Sequence, residues 1–372
     1  MGDLMEYPGT YRLLHTSAFF DNRPPGSLPG PMFSAVAYPP FAATVLAPIY
    51  LSPTPVWAFL YLAATWLAIA FWQTRHVLVR VGLSEVTAAL LPLSMMLVSF
   101  PIERLVHQGN IELLVWTFTT TGIWAFLRGK HDAAAMLWGL AAALKLYPIL
   151  LLLLCLSKRS YRALFLGAGV FVGASWLSLW WLGPTLAIAW RGSLHNVFGY
   201  QSLRISEWSL RELVANHSFF GWWKLGALIA HMPLNRLTVP YYGVMMAFVC
   251  WAFLIRLRTM PVANQLLAVT VCMLGLPSVS YYHTLVHLYA PLLLLVLLAI
   301  QAQRAAVHIR GLQTTMVLFI PLFAPYTLLT FPHVFLFCGM LQAIVLAFLF
   351  LCALEFPFAM PIAPEAEVHP CF

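Results

Sequence analysis

The chain has 372 residues, of which 62% are hydrophobic and 9% are charged, and its mean hydropathy is +0.84. Because soluble proteins have roughly 45–50% apolar and about 25% charged residues, this composition excludes a soluble globular domain and predicts a polytopic membrane protein. The formal charge of +8 does not indicate a nucleic-acid partner. The basic residues stand in short clusters between apolar runs, where they report orientation against the bilayer.

The first 37 residues are polar, rich in Pro and Gly, and contain neither a membrane span nor a signal peptide. We interpret residues 1–37 as a separate segment at the outer face. The apolar stretch that follows, residues 37–53, is shorter than the roughly 20 residues that a full crossing needs. It predicts an interfacial or half-inserted helix.

Apolar runs bounded by basic or turn residues then predict about ten membrane helices. The predicted spans are 56–73, 86–99, 111–127, a broken pair within 133–156, 163–182, 239–255, 262–277, 285–303, 312–330 and 333–354. The resulting fold class is an all-α transmembrane domain over residues 38–355. It includes an outer loop at 183–238, and a cytoplasmic tail covers 356–372.

The broken pair is predicted from the stretch LWGLAAALKLYPILLLLLCL, which carries Lys145 and Pro148 in its middle. A charge at the centre of a span costs about 2.5–3.5 kcal/mol on insertion scales, so Lys145 needs water or an anion. Basic clusters flank the stretch at residues 128–130 and 158–162. If the chain turns back after Pro148, both clusters lie in the cytoplasm, as the positive-inside rule favours.

In this topology polar residues gather at the outer face, so any catalytic site is predicted to lie there. The topology also places the N-terminus outside with no span to carry it across, so we expect a preceding first helix to be missing from this sequence. Five of the six cysteines lie inside apolar runs, which favours small core residues over a disulfide framework or a metal site. We predict neither a metal nor a cofactor.

Several strings follow one another along the chain in an order that a known protein family shares. They are GDLMEY, AYPPFAATVLAP, HQGNIELLVW, WGLAAALKLYPILLLLL with KRSYRAL, NHSFFGWW, and LPSVSYYHTLVHLYAPLLLL. Together they resemble glycosyltransferase family 87, whose members are polytopic GT-C-type enzymes. The family includes α-mannosyltransferases of actinobacteria that use polyprenyl-phosphate mannose.

The resemblance implies a site, position by position. It implies a catalytic aspartate at Asp3, in a D-L-x-x-Y context, and a Gly-Asn pair at a helix start that falls on Asn110, with Glu112 beside it. The Lys-x-Tyr-Pro break matches Lys145 and Tyr147. A Ser-x-x-His string before a late helix matches Ser280 and His283.

The residues themselves are consistent with such chemistry. Transfer from a lipid-linked sugar phosphate needs a base for the acceptor hydroxyl and positive charge for the departing phosphate. A carboxylate at the outer face, for which Asp3 is the candidate, together with Lys145 and His283 supplies both requirements. Tyr282 and His217 are further candidates for substrate contact.

Each assignment has a structural alternative. Asp3 can be a solvated acid near the terminus, and Lys145 can reach the interface or pair with Glu112. Asn110 and Glu112 can simply cap a helix. Tyr282 and His283 can anchor at the interface, and His217 can be a loop residue.

The sequence therefore predicts a membrane glycosyltransferase of a bacterial inner membrane, with its site facing the outside. The expected partners are a polyprenyl-phosphate sugar donor, a lipid or glycan acceptor and membrane lipids. The alternatives are a transporter or flippase, or an inactive descendant of the enzyme fold. No internal repeat of the kind common in transporters is visible.

Overall fold

A computed structural model describes residues 11–16, 19, 38–206, 216–232, 238–324 and 338–360. Within these residues the regular elements are helical. In chain order the α-helices are α1 (Pro40–Tyr50), α2 (Pro55–Arg80), α3 (Glu85–Val98), α4 (Phe100–Gln108), α5 (Glu112–Leu127), α6 (His131–Leu144), α7 (Leu152–Ser157), α8 (Tyr161–Leu182), α9 (Leu186–Ser206), α10 (Phe220–Ile229), α11 (Thr238–Ile255), α12 (Val262–Gly275), α13 (Tyr289–Arg304), α14 (Leu312–Val317), α15 (Ile320–Phe323) and α16 (Cys338–Glu355). Short 3-10 helices cover Tyr147–Leu151, Leu257–Thr259 and Tyr282–Leu288.

Fewer of these helices span a membrane than the sequence predicted. Among the described residues, five are long and apolar enough, and a sixth is obtained if α3 and α4, bent by 58°, count as one. The five are Pro55–Arg80, Tyr161–Leu182, Thr238–Thr259, Tyr282–Arg304 and Cys338–Glu355. The prediction of about ten spans is not confirmed, although the all-helical membrane protein is. Helices α5 and α12, of 16 and 14 residues, match the predicted spans 111–127 and 262–277 to within two residues, but they are shorter than the roughly 20 residues that a full crossing needs.

The region predicted as the outer loop 183–238 is also more regular than expected. Helix α9, of 21 residues, and helix α10, of 10 residues, form within it. Helix α4 likewise occupies most of residues 100–110, which lie between the predicted spans 86–99 and 111–127. Its apolar side chains Phe100, Ile102 and Leu105 are buried while Glu103 is exposed, so a short amphipathic period went unrecognised there.

The chain divides into two compact units, and the first comprises residues 1–66, 104–155 and 160–207. In its described part, α8 packs against α6 and α1, and α5 packs against α6. Helix α6 ends at Leu144 because Pro148 has no N–H to donate to the carbonyl of Leu144. Lys145 leaves the helix in an extended conformation, with φ −148° and ψ 134°.

The chain then reverses, as a glycine of α8 shows. A Cβ atom at Gly167 would lie 2.7 Å from both the carbonyl oxygen of Ala135 and Cδ2 of Leu152. In a continuous helix these two residues would be about 25 Å apart at 1.5 Å per residue. Their common neighbour therefore requires α6 and the Tyr147–Ser157 segment to form a hairpin, as the charge rule predicted.

A surface ion pair locates the open end of this hairpin. Arg162, which follows the second arm, lies 3.3 Å from Asp132 in the first turn of α6. Arg162 and the first turn of α6 thus lie at the same end of the first unit. We call residues 131–157 the re-entrant hairpin.

The second unit comprises residues 67–103, 156–159 and 208–372. Helix α12 is its core, because every residue from Asn264 to Gly275 is buried. It packs against α16, and the side chain of Asn264 donates to the carbonyl of Ala353 at 2.8 Å. Asn264 also accepts the backbone N–H of Phe358 at 2.8 Å, so the first residues of the predicted cytoplasmic tail pack on this unit.

Candidate functional site

The first unit contains a buried polar cluster at the turn of the re-entrant hairpin. We call Asn110, Glu112, Lys145 and Tyr147 the Lys145 cluster. The ammonium of Lys145 lies 2.7 Å from Oε2 of Glu112 and 3.0 Å from Oδ1 of Asn110. The hydroxyl of Tyr147 donates to Oε1 of Glu112. Four residues that the sequence analysis selected therefore meet at one point.

Local structure explains how the cluster forms. Gly109 has φ +67°, a left-handed conformation that glycine adopts without strain, and it turns the chain from α4 towards α5. Oδ1 of Asn110 then accepts the backbone N–H of Glu112 at 3.0 Å. Glu112 stands in the first turn of α5, where the helix dipole stabilises a negative charge. The capping alternative for Asn110 is thus observed, together with its contact to Lys145.

The ion pair has an asymmetric exposure. The Glu112 side chain is 0% exposed and the Lys145 side chain is 18% exposed. The ammonium uses two of its three donors on Glu112 and Asn110. A ligand can therefore approach Lys145, whereas Glu112 is enclosed by protein groups.

The first unit also contains an apolar groove. It has a volume of about 470 Å³ and is lined by Phe41 and Thr44 of α1 and by residues of α8 between Val170 and Ser178. Tyr38 lies three residues before Phe41, and its hydroxyl accepts from Nδ2 of Asn110 at 3.4 Å. The groove thus begins within one helical turn of a contact of the Lys145 cluster.

The second unit has a different buried cluster. We call Asn216, His217, Ser280 and Thr284 the His217 cluster. Nε2 of His217 lies 3.0 Å from Oγ of Ser280 and 3.2 Å from Oγ1 of Thr284. Oδ1 of Asn216 accepts the N–H groups of Ser218 and Ser280 at 3.1 and 2.9 Å.

Burial sets the charge state of His217. The side chain is 0% exposed, and burial together with the nearby charge of His283 lowers the pKa of His217 to about 3. The imidazole is therefore neutral at any physiological pH. Its Nδ1 atom has no partner within the described part of the chain.

The remaining predicted residues are distributed over both units. Asp3 lies outside the described residues. His283 is buried in the 3-10 helix Tyr282–Leu288, and it interacts electrostatically with His217. Tyr282 packs edge-to-face on Phe100, with ring centroids 5.0 Å apart. Lys145 and His283 belong to different units.

Sequence reasoning missed Thr284 and the part played by Asn216 and Tyr38. Thr284 immediately follows His283, but nothing in its neighbourhood distinguishes it from other span residues. Asn216 directly precedes the candidate His217 but was not itself selected. A usable signal was the polarity of NHS and SVS within otherwise apolar surroundings, since buried polar groups need partners.

Comparison with known proteins assigns the chain to a family. No curated protein and no solved structure matches it. The profile of glycosyltransferase family 87 matches residues 37–277, a range that includes the Lys145 cluster and His217 and excludes Asp3, Tyr282 and His283. With about two thirds of its length covered by that match, this multi-pass membrane protein belongs to glycosyltransferase family 87.

Proposed function

We propose that the protein transfers a hexose, with mannose as the first candidate, from a polyprenyl-phosphate donor to a lipid or glycan acceptor. The reaction takes place at the outer face of a bacterial inner membrane. The observation that carries this proposal is a lysine cluster at the turn of a re-entrant hairpin, in a unit whose helices α1 and α8 also line an apolar groove. Within the first unit, this arrangement fits an anionic headgroup and an apolar chain.

The chemistry requires one bond to form and one to break. The acceptor hydroxyl attacks the anomeric carbon, the bond from that carbon to the phosphate oxygen breaks, and polyprenyl phosphate leaves. The acceptor proton goes to a base, for which Asp3 and His283 are our candidates. The leaving phosphate needs positive charge and hydrogen-bond donors more than it needs an acid.

Lys145 is our candidate for stabilising that phosphate. Within the described residues Lys145 has two hydrogen-bond partners, which leaves its third N–H for a phosphoryl oxygen, and charge-assisted hydrogen bonds of this kind are the strong ones. Because Glu112 neutralises Lys145 in the absence of substrate, the pair also holds the ammonium in place within the membrane. Asn110 and Tyr147 fix the positions of the two charged groups.

The apolar groove is our candidate for the start of the polyprenyl chain. Its lining by α1 and α8 combines Phe41 and Val170 with the small residues Gly173 and Ala174. A Cβ atom at Gly173 would meet no atom within 4 Å, so substitutions there can fill the groove without disturbing the fold. Gly173→Leu is therefore expected to raise the KM for a long-chain donor.

The experiment uses the full chain in lipid nanodiscs with radiolabelled polyprenyl-phosphate mannose and a lipid extract as acceptor. We expect labelled product from the wild type, strongly reduced product from His283→Ala and Asp3→Asn, and reduced product from Lys145→Met. The variant Lys145→Met, Glu112→Gln removes both charges and leaves no buried charge unpaired. If this double variant is folded and fully active, Lys145 has no part in transfer.

Two outcomes would contradict the proposal as a whole. No transfer from any polyprenyl-phosphate sugar by folded wild-type protein would remove the donor class. Movement of labelled lipid across a proteoliposome membrane without formation of product would instead favour the transporter alternative.

A further inference from the structure

The segment that carries His283 is attached to residues 216–218 by many hydrogen bonds. The backbone N–H of His217 donates to the carbonyl of Ser280 at 2.9 Å, and Asn216 forms an isolated antiparallel β-bridge with Tyr281. The Asn216 side chain donates to the carbonyl of Ser278 at 3.1 Å. Residues 278–284 are thus held along their length from one short stretch of chain.

His217 supplies the side-chain part of this attachment. Its Nε2 lies within hydrogen-bond distance of the hydroxyls of Ser280 and Thr284, which stand on either side of His283. These hydroxyls are also 3.0 Å from each other. Thr284 in turn donates to the carbonyl of Tyr281 at 2.9 Å. A single imidazole therefore ties together the turn that contains His283.

The hydrogen-bond pattern selects one tautomer of His217. Nδ1 has no partner within the described residues, and an unsatisfied buried N–H costs more than a bare lone pair on nitrogen. The proton therefore belongs on Nε2, which donates to the two hydroxyls. The Ser280 hydroxyl then donates to the Thr284 hydroxyl, which donates to the carbonyl of Tyr281. Each polar proton in this series of hydrogen bonds therefore has an acceptor.

We propose that His217 is a positioning residue, which acts on the reaction through Ser280 and Thr284 by fixing the turn that carries His283. This inference rests on the proposed function, in which His283 serves the transfer reaction. The inference replaces the prediction from sequence that His217 contacts the substrate. The ring is 0% exposed and is hydrogen-bonded to two protein hydroxyls, so it has no surface for a sugar. A fixed turn would lower the cost of bringing a catalytic group into reacting geometry.

The test compares two replacements of His217 in the transfer assay. His217→Phe keeps an apolar ring but removes the Nε2 donor, whereas His217→Gln places an amide N–H where Nε2 stood. For His217→Phe we expect kcat to fall by about 10- to 100-fold, the size of effect that a small misplacement of a catalytic group produces, with the KM for the donor little changed. His217→Gln should recover most of that loss. The double variant Ser280→Ala, Thr284→Val should reproduce the defect, and adding His217→Phe to it should cause little further loss.

A matched control separates positioning from general destabilisation. Asn264→Leu removes another fully buried polar side chain of the second unit, which bonds to Ala353, Phe356 and Phe358 and not to residues 278–284. We expect it to lower stability without changing kcat at a temperature where the protein is folded. Hydrogen–deuterium exchange gives a readout that needs no activity: His217→Phe should speed exchange in residues 278–288, and Asn264→Leu should not.

Several results would overturn the inference. These are an unchanged kcat in His217→Phe, a raised KM with unchanged kcat, or an equal defect in the Phe and Gln variants. A wild type that transfers no sugar would instead refute the proposed function. In that case unchanged exchange of residues 278–288 in His217→Phe would still refute the attachment of that turn through His217.

Discussion

The two units bury polar groups by different means. In the first unit, the Lys145 cluster pairs a full positive charge with a full negative charge, 2.7 Å apart. In the second, the His217 cluster is neutral and is held by hydrogen bonds to hydroxyls and backbone groups. Both clusters lie on segments that reverse or break a helix, where backbone groups lose their helical partners.

The difference predicts how each cluster responds to change. A buried ion pair is held by mutual neutralisation, so removal of one partner leaves a charge that the interior does not solvate. In a neutral network a substitution removes only the hydrogen bonds of the residue replaced and leaves no bare charge, but burial opposes any proton that would charge the network. The first cluster should therefore be most sensitive to substitution, and the second to pH.

The largest effect is expected from Lys145→Met. Glu112, which is 0% exposed, would lose its counter-charge, and breaking a buried pair in this way costs about 3–5 kcal/mol. Thermal unfolding in detergent micelles should show a correspondingly large drop in Tm. The double variant Lys145→Met, Glu112→Gln should recover most of it, and an equally unstable double variant would show that charge pairing is not what stabilises this cluster.

A smaller effect is expected from Asn216→Ala in the neutral cluster. The substitution removes the acceptor of the N–H groups of Ser218 and Ser280 and one donor to the carbonyl of Ser278. Each buried polar group that loses its partner costs about 1–3 kcal/mol, and water that enters the site offsets part of this cost. We therefore expect the free energy of unfolding to fall by about 3 kcal/mol. Asn196→Ala is the control, because its buried Oδ1 has no partner in the described residues. Equal losses for the two variants would show that the observed hydrogen bonds of Asn216 carry no weight.

The two clusters also differ in how far sequence could predict them. The re-entrant hairpin followed from a local cause, Pro148, and a global rule, the shared side of the basic clusters. Lys145 in an apolar run required a partner, and Glu112 was one of the alternatives considered. Such a partner can be predicted from sequence because a charged side chain in lipid is stable only when it pairs with an opposite charge or reaches water.

The His217 cluster offered no such necessity. Ser280 and Thr284 lie 63 and 67 residues from His217 along the chain, and short polar side chains in apolar runs do not specify their partners. The ends of α5 and α12, by contrast, lie within two residues of the ends of the predicted spans 111–127 and 262–277, because an apolar run and a local hydrogen bond such as that of Asn110 are both properties of the nearby sequence.

Acidification should weaken the second unit. The pKa of His217 is lowered to about 3 in the folded protein, whereas an unperturbed histidine has a pKa of about 6.5. Between about pH 6.5 and pH 3 the unfolded chain therefore binds a proton at this residue and the folded chain does not. Stability should therefore fall as the pH drops from about 6.5 towards 3, by about 1.4 kcal/mol per pH unit. His217→Gln should remove this part of the slope. The measurement is Tm at pH 7 and pH 5 for both proteins, and parallel slopes would exclude His217 as the source.

The smallest effect is expected for an ion pair that, unlike the one in the Lys145 cluster, lies at the surface. Arg162 and Asp132 form an ion pair 3.3 Å long, but their side chains are 87% and 40% exposed. Water and salt screen such a pair, and exposed pairs contribute about 0–1 kcal/mol. A double-mutant cycle with Arg162→Ala and Asp132→Ala should give a coupling energy at the low end of that range, which shrinks further in high salt. The same cycle on Lys145 and Glu112 should give a coupling several times larger that changes little with salt, because burial rather than charge type decides what an ion pair contributes.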